Sequence, residues 1–303
     1  MSKRRKLDPF IETYLSYLED VSRRAHRTVA DVRCSLRRVA DAVGRRRRGV
    51  PLWKLSLEDY LRWMEQAREE GATDGTLAKS LSHVRGLLDY AWRTGRADRN
   101  VLDGFRVQDG TARKPPRVLT LEEAGKLVKA CPKDTVSERR DRMIVLLLYG
   151  CGLRTNELCG LRVQDVDAQR KELLIRQGKG DKERVVPVPP TVHTELLEYL
   201  LERRARRGPL FRTEKKRVAI SAPRVSAAVR QAAERAGLEG PITPKTLRHT
   251  YATHLMDQGV DIGVLSVLLG HRSPRETGVY LHAFASDRRK ATRRLPRRKG
   301  DRS

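Results

Sequence analysis

Apolar residues in the first hundred positions recur at helical spacing. Phe10, Tyr14, Tyr17, Leu18 and Val21 lie on one stripe and predict a first helix from Pro9 to Val21. Thr28 followed by Asp31 resembles the capped start of a second helix, with Val32, Leu36, Val39, Ala40 and Val43 facing inward as far as Gly44. Ser56-Leu57-Glu58-Asp59 opens a third helix that ends near Gly71. Thr73 or Thr76 opens a fourth, which carries Leu77, Leu81, Val84, Leu88 and Ala91 to Gly95. Short amphipathic helices of this kind predict an all-α domain over residues 1–107. The stretch from Gln108 to Arg117 is polar, holds Gly110 and the pair Pro115-Pro116, and has no apolar period, so 108–117 reads as a linker.

Beyond the linker, Leu119-Thr120-Leu121-Glu122-Glu123 reads as a capped helix start, and Arg139 to Gly150 as a helix holding the apolar run Ile144 to Leu148. The period then shortens. Val163–Asp167, Glu172–Ile175 and Arg184–Val188 are short β-type runs, and the last two flank Gly178-Lys179-Gly180-Asp181, a hairpin turn. Helical spacing returns from Pro190, and the leucines of the 265–269 run are expected in the core. Residues 118–286 therefore predict a domain that is mainly α with a small antiparallel β-sheet. A tail follows over 287–303, with nine Lys and Arg against two Asp.

Charge narrows the function. Of 303 residues, 64 are Lys or Arg and 38 are Asp or Glu, a net charge of +26. Such a balance needs a polyanionic partner or a very salty cell, and nucleic acid is the first candidate because neutralising phosphates drives such binding. Arginine outnumbers lysine about three to one, which suits bidentate phosphate contact. Codon bias in a GC-rich genome would account for part of that excess but not for the net charge. The runs Arg45-Arg46-Arg47-Arg48 and Arg113-Lys114 are candidate DNA-backbone contacts in loop and linker. No apolar run approaches the ~18 residues of a spanning helix, so no membrane partner is expected. The basic start MSKRRK leads into Leu7-Asp8-Pro9 and not into an apolar stretch, so secretion is not expected, and with a nucleic-acid partner a cytoplasmic, nucleoid-associated protein is. Cys34, Cys131, Cys151 and Cys159 lack CxxC spacing and read as reduced thiols. There is no GxxxxGK[ST] loop, no HExxH and no acidic metal cluster, so neither cofactor nor metal is expected.

The candidate chemistry lies in separated basic residues, each beside a structural cue. In Gly150-Cys151-Gly152-Leu153-Arg154-Thr155-Asn156-Glu157-Leu158, Arg154 stands at a helix start with Glu157 one turn on. Lys179 sits at the hairpin tip. Thr243-Pro244-Lys245-Thr246-Leu247-Arg248-His249-Thr250 gathers Lys245, Arg248 and His249 within about one turn, with Lys245 and Arg248 sharing a face. His271 follows Leu268-Leu269-Gly270, and Tyr280 lies nine residues later. Taken singly, such arginines are ion-pair residues, such a lysine is a solvated loop residue, and such a tyrosine is a half-buried aromatic. His249, His254 and His282 read as packing or capping residues.

Taken together and in order, GLRTNEL, GKGDKERVVPVP, TPKTLRHTYATHL, LLGHRS and ETGVYLH make the chain resemble the tyrosine recombinase (phage-integrase) family, in particular its Xer-type and simple integrase members. The resemblance spans roughly residues 118–285, and the N-terminal helices resemble the family's SAM-like core-binding domain. It implies a two-domain DNA clamp: an all-α core-binding domain and an α+β catalytic domain, joined by a strap along the DNA. It also implies that Arg154 and Arg248 clamp the non-bridging oxygens of the scissile phosphate, that Lys179 protonates the departing 5′-oxygen, and that His271 binds a phosphate oxygen or positions the nucleophile. Tyr280 is the implied nucleophile, forming a 3′-phosphotyrosyl intermediate that conserves the bond energy. Glu157 orients the basic side chains. Lys245 departs from the family, which most often has His there. Lysine can donate to a phosphate oxygen but accepts a proton near neutral pH only with a strongly lowered pKa.

The implied function is site-specific DNA recombination through a Holliday junction, for integration or excision of a mobile element or for Xer-like resolution. The implied partners are double-stranded DNA with short inverted-repeat core sites and three further copies of the chain, a homo-tetramer on DNA and a monomer when free. Few residues precede the first helix, so a separate arm-binding domain is expected to be absent. Two alternatives remain open: a strand-relaxing enzyme of the same chemistry acting on a single site, and a DNA-binding member of the fold that has lost catalysis.

Overall fold

Side-chain caps decide where most helices of this chain begin. A computed structural model describes residues 7–44, 49–107, 116–176, 183–213 and 217–270. The chain divides into two units, Met1–Lys114 and Pro115–Ser303.

In the first unit, α1 (Pro9–Ser16) is capped by Asp8, whose carboxylate accepts the Phe10 N–H, and it runs into a π-type turn over Tyr17–Val21. The inner face differs from the expected stripe, and the widened last turn carries Val21 outward. Ile11, Tyr14 and Leu15 are buried, Phe10, Tyr17 and Leu18 pack at the rim, and Val21 faces solvent. The second helix, α2 (His26–Gly44), begins ahead of the expected Thr28 cap. The Ala25 carbonyl already accepts the N–H groups of Thr28 and Val29, so Thr28 lies inside the helix. Its inner face holds Val32, Leu36, Val39 and Val43, as the spacing predicts. The next helices, α3 (Leu57–Glu69) and α4 (Asp74–Arg93), start on Ser56, which makes a reciprocal box with Asp59, and on Thr73. Leu77, Leu81, Val84, Leu88 and Ala91 of α4 are buried against α2. The expected contact run Arg45 to Arg48 lies outside the described residues, as do Arg113 and Lys114.

The second unit is built around α6 (Val136–Gly150). Residues Met143 to Leu148 of this helix are all buried, because α8 (Pro190–Arg203), α9 (Ala222–Arg235) and α10 (Pro244–Asp257) pack around it. It starts three residues before the expected Arg139, since Thr135 and Glu138 form a capping box. Ahead of it, α5 (Leu121–Lys129) begins on Thr120 with the same device through Glu123. The short α7 (Thr155–Gly160) and α11 (Ile262–Leu269) flank the basic residues considered below.

A three-stranded antiparallel sheet in the order β1-β2-β3 completes the unit: β1 (Val166–Asp167), β2 (Glu172–Ile175) and β3 (Arg184–Pro187). Leu173 pairs with Val166 and Val186, and Ile175 with Arg184. The expected strand over 163–167 is shortened. Asp165 accepts the Arg162 N–H at 2.9 Å and tightens Val163–Asp165 into a 3₁₀ turn, leaving two residues to pair. The hairpin turn with Lys179 lies outside the described residues. The 265–269 run is core only in part: Leu265 and Leu269 are fully buried, Leu268 is half-buried, and Val267 is 70% exposed. Among the described residues no helix is long and apolar enough to cross a membrane. All four cysteines are free thiols.

Candidate active site

The turn between α6 and α7 sets the first arginine. Gly152 takes φ +59°, and a Cβ there would stand 2.3 Å from the Tyr251 ring. Only glycine lets the turn pass this close to α10. The approach brings the Gly152 carbonyl to Arg248, whose Nη1 donates to it at 2.7 Å. Two residues on, Arg154 is the N-cap residue of α7. Its backbone N–H donates to Glu157 Oε2 at 2.8 Å, and its Nη1 donates to Oε1 at 3.0 Å.

Glu157 is the hub. Its side chain is 2% exposed, and Arg184 from β3 lays both arms on it, Nη1 to Oε1 and Nη2 to Oε2, each at 2.8 Å. Arg248 Nη1 stands 3.9 Å from Oε2. Burial by itself would raise the Glu157 pKa. The hydrogen bonds from Arg184 and from the Arg154 backbone, together with the Arg184 charge, outweigh it and hold the carboxyl below the usual carboxylate range.

The same three guanidiniums meet the end of α11. Arg184 Nε donates to Leu268 O at 3.1 Å, Arg248 Nη2 to Leu269 O at 2.7 Å, and Arg154 Nη2 to Gly270 O at 2.9 Å. These last carbonyls lack partners within the helix and carry the negative end of its dipole, so cations are favoured there. Gly270 closes α11 in the left-handed region at φ +63°, and a Cβ on it would come within 2.9 Å of Arg184 Nη1. The next residue is His271. His271, Tyr280 and His282 lie outside the described residues, as does Lys179.

Lys245 and Arg248 start α10, whose Thr243 cap and Pro244 set the first turn. Their shared face is divided: Arg248 is buried, while Lys245 reaches solvent one turn earlier. His249 is half-buried. Desolvation first, and then the Lys245 and Arg248 charges, bring its pKa down to about 4, so the ring is neutral near pH 7. His254 packs as expected, with Nδ1 3.0 Å from Tyr149 Oη and Nε2 2.9 Å from Leu119 O. Burial also pushes the Cys151 thiol up to about 12, so it stays protonated.

The structure thus brings together Arg154, Glu157 and Arg248, and adds Arg184, which sequence reasoning missed. One signal pointed to it. Residue 184 shares a strand face with buried Val186, and an arginine at an inward register needs an acidic partner. With one carboxylate among Arg154, Arg184, Arg248 and Lys245, the described site keeps a positive excess suited to an anion. Among the described residues no group of His, Cys, Asp and Glu could hold a metal ion.

Residues 117–287 match the model of the phage integrase family, and residues 11–95 match that family's N-terminal SAM-like domain. Tyrosine recombinase XerA of Pyrococcus furiosus is 39% identical over 182 residues, which is 59% of this chain and 62% of the relative's length. Tyrosine recombinase XerC of Corynebacterium efficiens is 34% identical over 278 residues, covering 90% of this chain and 86% of the relative. Among solved structures, a lambda integrase dimer bound to a COC' core site superposes with a TM-score of 0.71 at 18% identity, covering 89% of this chain and 75% of that one.

Proposed function

The chain belongs to the phage integrase family of site-specific tyrosine recombinases, and from that premise we propose that Arg154, Lys179, Lys245, Arg248, His271 and Tyr280 form its active site. The observation that carries this reading is the convergence of Arg154 and Arg248 on Glu157 and on the carbonyls that lead directly into His271. Two guanidiniums held in one place stabilise the charge of a pentacoordinate phosphorane without reorganising. The Tyr280 phenol oxygen gives up its proton to solvent as it attacks phosphorus, and the bond to the 5′-oxygen breaks. That oxygen leaves with a proton from Lys179, and the 3′-phosphate stays on Tyr280. Attack by a second 5′-hydroxyl reverses the step. Lys245 donates to a phosphate oxygen, where the family most often has His.

Both units contact duplex DNA. Arg45 to Arg48 in a loop of the first unit, and Arg113 and Lys114 in a strap over 108–117, supply sequence-independent grip, and the catalytic unit spans 118–286. The dimer of lambda integrase on its core site supports recognition of inverted-repeat core sites. Exchange of both strand pairs through a Holliday junction then calls for a tetramer on paired sites. A recombinase of chromosomal or mobile-element DNA works in the cytoplasm at the nucleoid.

A nicked suicide duplex carrying the bound site, obtained by selection from random duplexes, tests the reading. A covalent protein–DNA adduct that disappears in Tyr280→Phe is the expected result, and Arg154→Ala should slow adduct formation by about 10²–10³-fold. Tight binding without adduct would show a DNA-binding protein that has lost catalysis. Relaxation of one supercoiled plasmid without exchange between two labelled sites would instead show a single-site enzyme.

A further inference from the structure

Two of the four hydrogen bonds described on the Glu157 carboxylate come from Arg184 of β3 and two from Arg154. Arg184 is 11% exposed at its side chain and donates three hydrogen bonds inward, two to Glu157 and one to Leu268 O. Arg154 and Arg248 each reach the same helix end one and two residues further on: Leu269 O takes Arg248, and Gly270 O takes Arg154. Arg184 therefore fastens both surfaces on which the two phosphate-binding arginines rest, the carboxylate on one side and the α11 terminus on the other. Each of its three guanidinium nitrogens donates one of these bonds, and the left-handed Gly270 leaves the room the group occupies. A lysine could supply the charge, but not a planar fork with two parallel donors to one carboxylate and a third to a separate carbonyl.

We infer that Arg184 is a positioning residue for strand cleavage. It locks Glu157 and the end of α11 so that Arg154 and Arg248 are aimed at the scissile phosphate before DNA arrives. The inference rests on the reading of Arg154 and Arg248 as the phosphate clamp. Arg184 touches no DNA in this role, so its loss lowers the cleavage rate and leaves affinity intact.

Single-turnover cleavage of the nicked suicide duplex at saturating protein tests it, with three scissile linkages compared. On the native phosphodiester, Arg184→Ala is expected to cleave about 100-fold slower, the scale of one mis-set oxyanion donor, with the dissociation constant unchanged. On a methylphosphonate, where one negative charge is absent and the arginines matter less, the deficit should shrink below about 10-fold. On a 5′-bridging phosphorothiolate, whose thiolate leaves without a proton, the full deficit should remain. An equal deficit on all three linkages would reduce Arg184 to general structural support and overturn the inference. A deficit abolished by the phosphorothiolate would place its effect on leaving-group protonation, which also overturns it. If Arg184→Ala fails to fold, Arg184→Lys keeps the cation but not the planar paired donors, and it should show the same order of deficits at smaller size. Arg154→Ala on the same substrates separates the two readings: if it cleaves the native linkage at the parental rate, the clamp assignment fails by itself.

Discussion

Replacing Glu157 with Gln keeps the shape of the side chain and one carbonyl oxygen, but it removes the charge that three guanidiniums face. Four hydrogen bonds from Arg184 and Arg154 end on this carboxylate at 2.8–3.0 Å, in a side chain 2% exposed. Hydrogen bonds to charged groups contribute about 1.5–3 kcal/mol each when lost, so the gross effect is roughly 6–12 kcal/mol. Much of it is recovered. The amide oxygen keeps one or two of the bonds, the arginines retain Gly152, Leu268, Leu269 and Gly270 carbonyls, and Arg154 is 36% exposed and partly solvated. The net penalty is then about 3–5 kcal/mol, the scale of a buried ion pair deprived of one partner. At about 2–4 °C per kcal/mol for a unit of this size, the catalytic unit should melt about 6–20 °C lower. Calorimetry of the full chain at pH 7 reads the shift directly.

The pH dependence of this shift is a second constraint. The folded pKa of Glu157 lies below 4.5, so its contribution is complete above that value and is lost as the pH falls beneath it toward the folded pKa. The gap between parent and Glu157→Gln should accordingly hold steady from neutral pH down to 4.5 and narrow below. A melting shift under about 2 °C at pH 7, or a gap that widens in acid, would refute the charge argument.

Gly152→Ala meets both the left-handed backbone and the Tyr251 ring, and it should lose about 2–4 kcal/mol in urea unfolding; a loss under about 0.5 kcal/mol would show that α10 can retreat. His249 titrates near 6.5 when unfolded and at about 4 when folded, so the unfolded chain binds the extra proton between those values and stability falls as the pH drops from 6.5 to 4. His249→Gln should flatten that slope in pH-dependent melting. Serine at Arg45, Arg46, Arg47 and Arg48 should reduce the slope of log affinity against log salt by up to about 3–4 if all four contact phosphates, measured by fluorescence anisotropy.

Helix placement was legible in this chain because it depends on neighbours a few residues apart. Thr73, Thr120 and the apolar spacing of α2 and α4 locate their helices correctly, while Thr28 misleads because the carbonyl of Ala25 starts the turn earlier. Arg154, Arg248 and Glu157 stood out through ordered boxes, each a local pattern of residue types. The partners of Arg184 and the division of Lys245 from Arg248 were not legible. The carbonyl that receives Arg154 is 116 residues away in the chain, and the partner of Arg184 is 27. Those meetings depend on how α6, α7, α10, α11 and β3 cross, which no periodicity records. What the sequence determined by itself was the helices of the first unit, the mainly helical character of the second, the excess of positive charge and the residue types that suit a phosphate. Only the tertiary structure decided that three guanidiniums share one carboxylate and one helix end, because burial removes the water that would otherwise solvate Glu157, Arg184 and Arg248 apart.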